Sequence, residues 1–122
     1  MNSYSQQHAD LIGDWKIIKV DLKPDAGEEG IQILQLVKPI FLKSKFHFKL
    51  NNLFSFDSPD KDLATEEGIW QFDNEKKYIK VMEKVSKGIP GLLMGIEVKL
   101  LNEGFLFIME ETPLVLTIAR VK

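Results

Sequence analysis

No cysteine occurs in the 122 residues, which excludes disulfides, thiolate metal sites, a thiol nucleophile and a lipid-modified N-terminal cysteine. Long apolar runs are missing as well, and none approaches the ~20 residues that span a bilayer as a helix. The opening residues, Met1 to His8, are polar and contain no apolar h-region, so no secretory signal is expected. Two compartments fit that reading: the cytoplasm, or the periplasm or cell surface if an export signal has been removed. Arginine is nearly absent, since Arg120 is the only one among 16 basic residues. The lysines are scattered and formal net charge is −2, so no basic track suited to a phosphate backbone forms and nucleic acid is not an expected partner.

Catalytic patterns are absent too. His8 lies in the opening tail. His47, set between Phe46 and Phe48, is expected to face opposite to them, toward solvent. Two separated histidines make no metal site, and no metal or cofactor is expected. There is no Gly-x-Ser-x-Gly, phosphate-cradling loop or His-Glu-x-x-His. Glu66-Glu67 and Glu110-Glu111 are sequence neighbours, which a strand sends to opposite faces, so neither forms a dyad. Glu83 or Glu111 could orient a polar ligand head only from inside a barrel; solvated strand ends are the simpler reading. The expectation is a protein that is not an enzyme, with an isomerase or cyclase a distant third choice.

What is present is period-two alternation. A composition of 44% hydrophobic and 28% charged residues belongs to an ordinary globular domain, and the length suits one domain. Residues 1–10 read as a polar tail or helical turn, with a turn placed over Gln6 to Ile12, and 11–122 as the domain. Trp15 to Lys23 reads as a first strand, ended by Pro24 and Gly27. Phe46, Phe48 and Leu50 alternate with Lys45, His47 and Lys49. Asn51-Asn52 tolerates positive φ and closes a hairpin onto Leu53 to Phe56. Ile69 to Phe72, Tyr78 to Glu83, a strand around Ile96, Val98 and Leu100, Phe105 to Glu110, and Leu114 to Val121 follow across short turns. About eight strands joined this way close best as an up-and-down antiparallel barrel, because closure removes exposed edges. Glu28 to Leu42 departs from this pattern: its near-helical apolar spacing predicts a short helix or irregular plug between the first two strands, interrupted at Pro39.

Gly13-Asp14-Trp15-Lys16 near the start and Ala119-Arg120-Val121 in the last strand resemble the lipocalin and fatty-acid-binding superfamily, the calycins. The chain is most similar in general appearance to small bacterial lipocalin-like domains, with their Phe-x-Phe-x-x-Asn strand pair and late Gly-x-Trp strand. The resemblance implies an all-β eight-stranded barrel in which Trp15 and Arg120 stack where the ends close. It covers most of the chain but departs from secreted lipocalins in its shorter length, its lack of disulfides and the absence of their later helix.

In such a barrel the inward candidates are Phe46, Phe48, Phe54, Phe56, Trp70, Phe72, Phe105, Phe107 and Met109, with Met94 at the rim. They either line a pocket for a fatty acid or similar apolar ligand, or fill the lumen solidly. Gly88 to Gly95 is a greasy loop or bulged strand start. It either forms an adaptable lip around Met94 or, the preferred reading, folds inward or onto the 28–42 segment. The last strand is apolar on both faces, with Leu114, Leu116 and Ile118 on one and Val115, Ala119 and Val121 on the other. A helix or a second subunit must therefore cover its outer side, which predicts a homodimer through the C-terminal strand. Two functions follow: a non-catalytic binding protein for a small apolar ligand, or a solid barrel acting as an interaction or homodimerisation module.

Overall fold

Eight antiparallel strands form a closed barrel in which each strand pairs with its sequence neighbours and the last returns to the first. The structure, a computed structural model, describes residues 9–84 and 91–121. The strands are β1 (Gly13–Leu22), β2 (Lys45–Phe48), β3 (Leu53–Asp57), β4 (Thr65–Asp73), β5 (Tyr78–Glu83), β6 (Leu92–Leu101), β7 (Gly104–Met109) and β8 (Leu114–Arg120). A long helix, α1 (Gly27–Phe41), joins β1 to β2. The all-β up-and-down architecture with a helical insert after the first strand is therefore what the chain adopts.

Alternation produces this wall. Along β7 and β8 every second residue is buried, Phe105, Phe107 and Met109 on one strand and Leu114, Leu116 and Ile118 on the other. Burying such a side chain contributes about 1.5–3 kcal/mol, so register is strongly specified. β1 breaks the rhythm once: its register against β8 shifts between Ile17 and Lys19, leaving Ile18 half-exposed and returning Val20 to the core.

The barrel has two unlike ends. At the Trp15 end, residues 9–11 are helical and Leu11 is buried as a plug; the rest of the expected Gln6 to Ile12 turn lies largely outside the described residues. At the opposite end α1 lies across the opening, with Leu34, Val37 and Phe41 packed on the core and Gly30 close to Leu22 and Pro113. Pro39 does not interrupt the helix, contrary to expectation. It falls in the last turn, and beyond it Leu42 N–H still donates to the Lys38 carbonyl (3.0 Å) and Ser44 N–H to that of Phe41 (2.9 Å), so the helix runs on to Phe41 although the proline's own donor is missing.

Two further boundaries differ from the expected ones. β4 starts at Thr65 rather than Ile69, and β6 at Leu92 rather than Ile96. The preferred inward reading of the Gly88–Gly95 segment is not met where it can be followed. Leu92 and Leu93 are 57% and 43% exposed on a paired strand, and Met94 is half-buried. Pairing with β5 carries Gly95 to Leu92 along the wall instead of over the opening. Gly88, Ile89 and Pro90 lie outside the described residues.

Candidate functional site

The pair that closes the barrel is built by register. β1 and β8 set Trp15 opposite Arg120, and the guanidinium carbon sits 4.4 Å from the indole centroid. Such a stack contributes about 0.5–2 kcal/mol. The same guanidinium donates to the carbonyls of Ile12 (3.0 Å) and Asp10 (2.8 Å), while Trp15 Nε1 donates to Leu11 (2.8 Å). Gly13 lies directly beneath Arg120 with φ +140°, so any side chain there would both strain the backbone and collide with the guanidinium. The Gly-x-Trp signature thus makes room for the arginine that clamps the N-terminal segment.

The inward aromatics form one continuous cluster. Phe46 packs on Phe56 at 4.8 Å and on Phe107 at 5.3 Å between ring centroids; Phe48 packs on Trp70 at 5.1 Å and Phe54 at 5.3 Å; Trp15 meets Phe105 edge-on at 5.2 Å. Phe46, Trp70, Ile79, Val81, Ile96, Phe107 and Leu116, from six strands around the wall, have no accessible surface at all. No water-sized space adjoins them. Across its centre the lumen is therefore filled, as an eight-stranded barrel allows. Phe46, Phe48, Phe54, Phe56, Trp70 and Phe107 are packing residues here rather than walls of an open chamber. Trp70 Nε1 donates to the Lys49 carbonyl (3.1 Å), which satisfies the buried indole.

Open space survives toward the ends. A cavity of about 280 Å³ at the Trp15 end is lined by Leu11, Phe72, Val98, Leu100 and Phe105, with Asp10, Lys77 and Lys99 supplying its polar groups. Of the ten candidate lining residues, Phe72 and Phe105 belong to it. Lys77 sits there with φ +51° in the β4–β5 turn and its ammonium donates to Asn74 Oδ1 (3.1 Å). A second hollow of about 270 Å³, near the α1 end, adjoins Leu92, Leu93, Met94, Met109 and the Glu110–Thr112 turn. Met94 and Met109 therefore belong to a different place from the aromatic candidates. Glu83 and Glu111 are exposed, and Glu83 accepts from the Gly91 N–H (3.1 Å).

Two polar groupings on the outer wall escaped the sequence reading. His47 faces outward, but its side chain is only 18% exposed, with Nδ1 2.6 Å from Asp14 Oδ1 and Nε2 2.8 Å from Asp57 Oδ2. Partial burial alone would lower its pKa; the hydrogen bonds to Asp14 and Asp57 and their charges outweigh that and raise it above 6.5. Ser55 stands opposite His47 in the register and is buried, yet both ring nitrogens are taken by carboxylates, so His47 has no free base to offer the serine. The group is an ionic clasp over β1, β2 and β3. Hairpin register could have located its Asp57 half, since a turn at Asn51-Asn52 sets His47 beside Ser55 and Asp57 one step diagonal. In the second grouping, the Tyr78 hydroxyl donates to Glu110 and covers Gly95, and burial followed by that carboxylate pushes its pKa up to about 12. Among the described residues no cluster of three or more His, Asp or Glu side chains is arranged to hold a metal ion, and no helix is long and apolar enough to cross a membrane.

No protein-family model matches the chain, and no curated protein is similar to it at a significant level. Among solved structures it resembles a DUF4847 family protein from Bacteroides vulgatus ATCC 8482, with a TM-score of 0.53 and 14% sequence identity over 90% of this chain and 93% of that one. At that identity the likeness concerns the fold alone: a closed eight-stranded antiparallel barrel.

Proposed function

We propose that this chain is a non-catalytic binding domain that takes one small apolar molecule at the Trp15 end of the barrel, rather than along the lumen. The carrying observation is the cavity of about 280 Å³ walled by Leu11, Phe72, Val98, Leu100 and Phe105. That volume lies at the lower limit of the roughly 300–1,000 Å³ common for small-molecule sites. A filled centre denies a long acyl chain the axial channel it would need, so the ligand is short or compact. Apolar walls supply affinity, and Asp10 and Lys77 can orient a polar end.

The test is a titration with medium-chain alcohols and acids, followed by protein NMR shifts at Phe72 and Phe105. Micromolar to low-millimolar binding is expected, together with its loss in Val98→Phe, which fills the cavity while leaving thermal unfolding cooperative. A full panel producing no shifts at those residues would overturn the reading.

A further inference from the structure

The outer wall over β7 and β8 carries an apolar strip framed by charges in ordered rows. Register places Lys99, Leu106, Thr117 and Lys19 in one row across β6, β7, β8 and β1, and Glu97, Ile108, Val115 and Asp21 in the next. All eight point away from the core, since their strand neighbours Val98, Phe107, Leu116 and Val20 are buried. The two middle columns are half-buried and mostly apolar, whereas Glu97, Lys99 and Lys19 are exposed and Asp21 partly so. Each row is basic on both flanks or acidic on both flanks.

We propose that this face pairs with a second copy of the chain about a two-fold axis running across the strands. Only that axis makes the charges agree. Rotation about an axis along the strands would lay Lys99 on the partner's Lys19 and Glu97 on the partner's Asp21. Rotation about the crosswise axis exchanges the rows, so Lys99 meets the partner's Glu97 and Lys19 the partner's Asp21. Leu106 then meets the partner's Ile108 and Thr117 the partner's Val115, which joins apolar to apolar in the middle. The pattern is self-complementary, as an isologous contact requires. Lys19 already lies 3.6 Å from Asp21 in its own chain, so on that flank the two lysines and two aspartates of the pair alternate on assembly. Convex barrel walls touch along a strip, and four columns about 5 Å apart with rows about 7 Å apart give roughly 300 Å² per partner. A standard interface uses about 800 Å² per partner, so the dimer is a weak one, formed at high micromolar concentration and loosened by salt.

This inference shares Lys99 with the margin of the cavity but does not require the cavity to hold a ligand. Sedimentation equilibrium at low ionic strength tests it on the full chain, with thermal unfolding as the check on folding. Wild type is expected to self-associate, and Glu97→Lys to weaken association by about tenfold or more through like-charge contact with the partner's Lys99. The double variant Glu97→Lys with Lys99→Glu is expected to restore it, because the swapped rows still complement each other. Ile108→Lys should abolish it. A wild type that stays monomeric at about 1 mM, above the expected high-micromolar range, overturns the proposal. So does a Glu97→Lys chain that associates as well as wild type or better, since the other axis would bring residue 97 onto the partner's Asp21.

Discussion

His47 shows how much one outward side chain can carry when two carboxylates reach it. Its pKa is raised in the folded chain by Asp14 and Asp57, so the folded state binds the proton more tightly than the unfolded one. The stabilisation is fully present below the ordinary value of 6.5 and is lost as pH rises through the raised folded value. Urea unfolding followed from pH 5 to 9 should show stability falling across that window. In Asp14→Asn with Asp57→Asn the step should shrink toward nothing; an unchanged step would assign it to other groups. Arg120 is the other residue of this kind, joining a ring stack to two carbonyl hydrogen bonds. Arg120→Ala is expected to cost about 2–4 kcal/mol, with amide exchange accelerated first over residues 9–12. The tryptophan–arginine pair was legible from the short motifs at the two ends of the sequence. The histidine clasp was not, because Asp14 lies 33 residues from His47 and only β1–β2 pairing brings them together.

At the scale of elements, the β2–β3 hairpin depends on a turn that few residues can make. Asn51 and Asn52 adopt φ of +66° and +62°, and Asn52 Nδ2 donates to the Trp70 carbonyl at 2.8 Å. Asn52→Ala loses that bond and forces a β-carbon into the left-handed region, so a loss of about 1–3 kcal/mol is expected. Asn52→Gly keeps the backbone at ease and should cost distinctly less, and chemical denaturation of the two variants measures the difference. Strands and turns of this type were readable from alternation and from Asn, Gly and Pro. Less readable were the starts of β4 and β6. Glu66 and Glu67 sit side by side in one, and Leu92 and Leu93 in the other, and neither pair shows alternation; pairing of Thr65 with Phe56 and of Leu92 with Met82 draws both starts into the sheet across a register irregularity in each. Tertiary hydrogen bonding overrides local pattern there.

For the whole molecule the decisive property is a filled centre. Which side chains turn inward follows from period two, but whether eight walls of them leave a void depends on barrel radius and ring packing, neither of which is written in one dimension. Phe107 contacts Phe46 and Phe48 in that centre with no exposure. Phe107→Ala should cost about 3–5 kcal/mol and leave a dry cavity able to take benzene, whereas the parent should show no benzene site there; calorimetry and NMR would tell.

The contact between β1 and β8 joins the first strand of the barrel to the last, Trp15 to Arg120. During synthesis the nascent polypeptide can assemble hairpins in order, and β1 gains β2 early, yet the edge of β1 that faces β8 stays unpaired until β8 has emerged. Until then β1 presents a bare edge to every neighbouring chain. Sealing thus depends on contacts of large sequence separation, and it is expected to be the slow step of folding and the moment of greatest risk for aggregation.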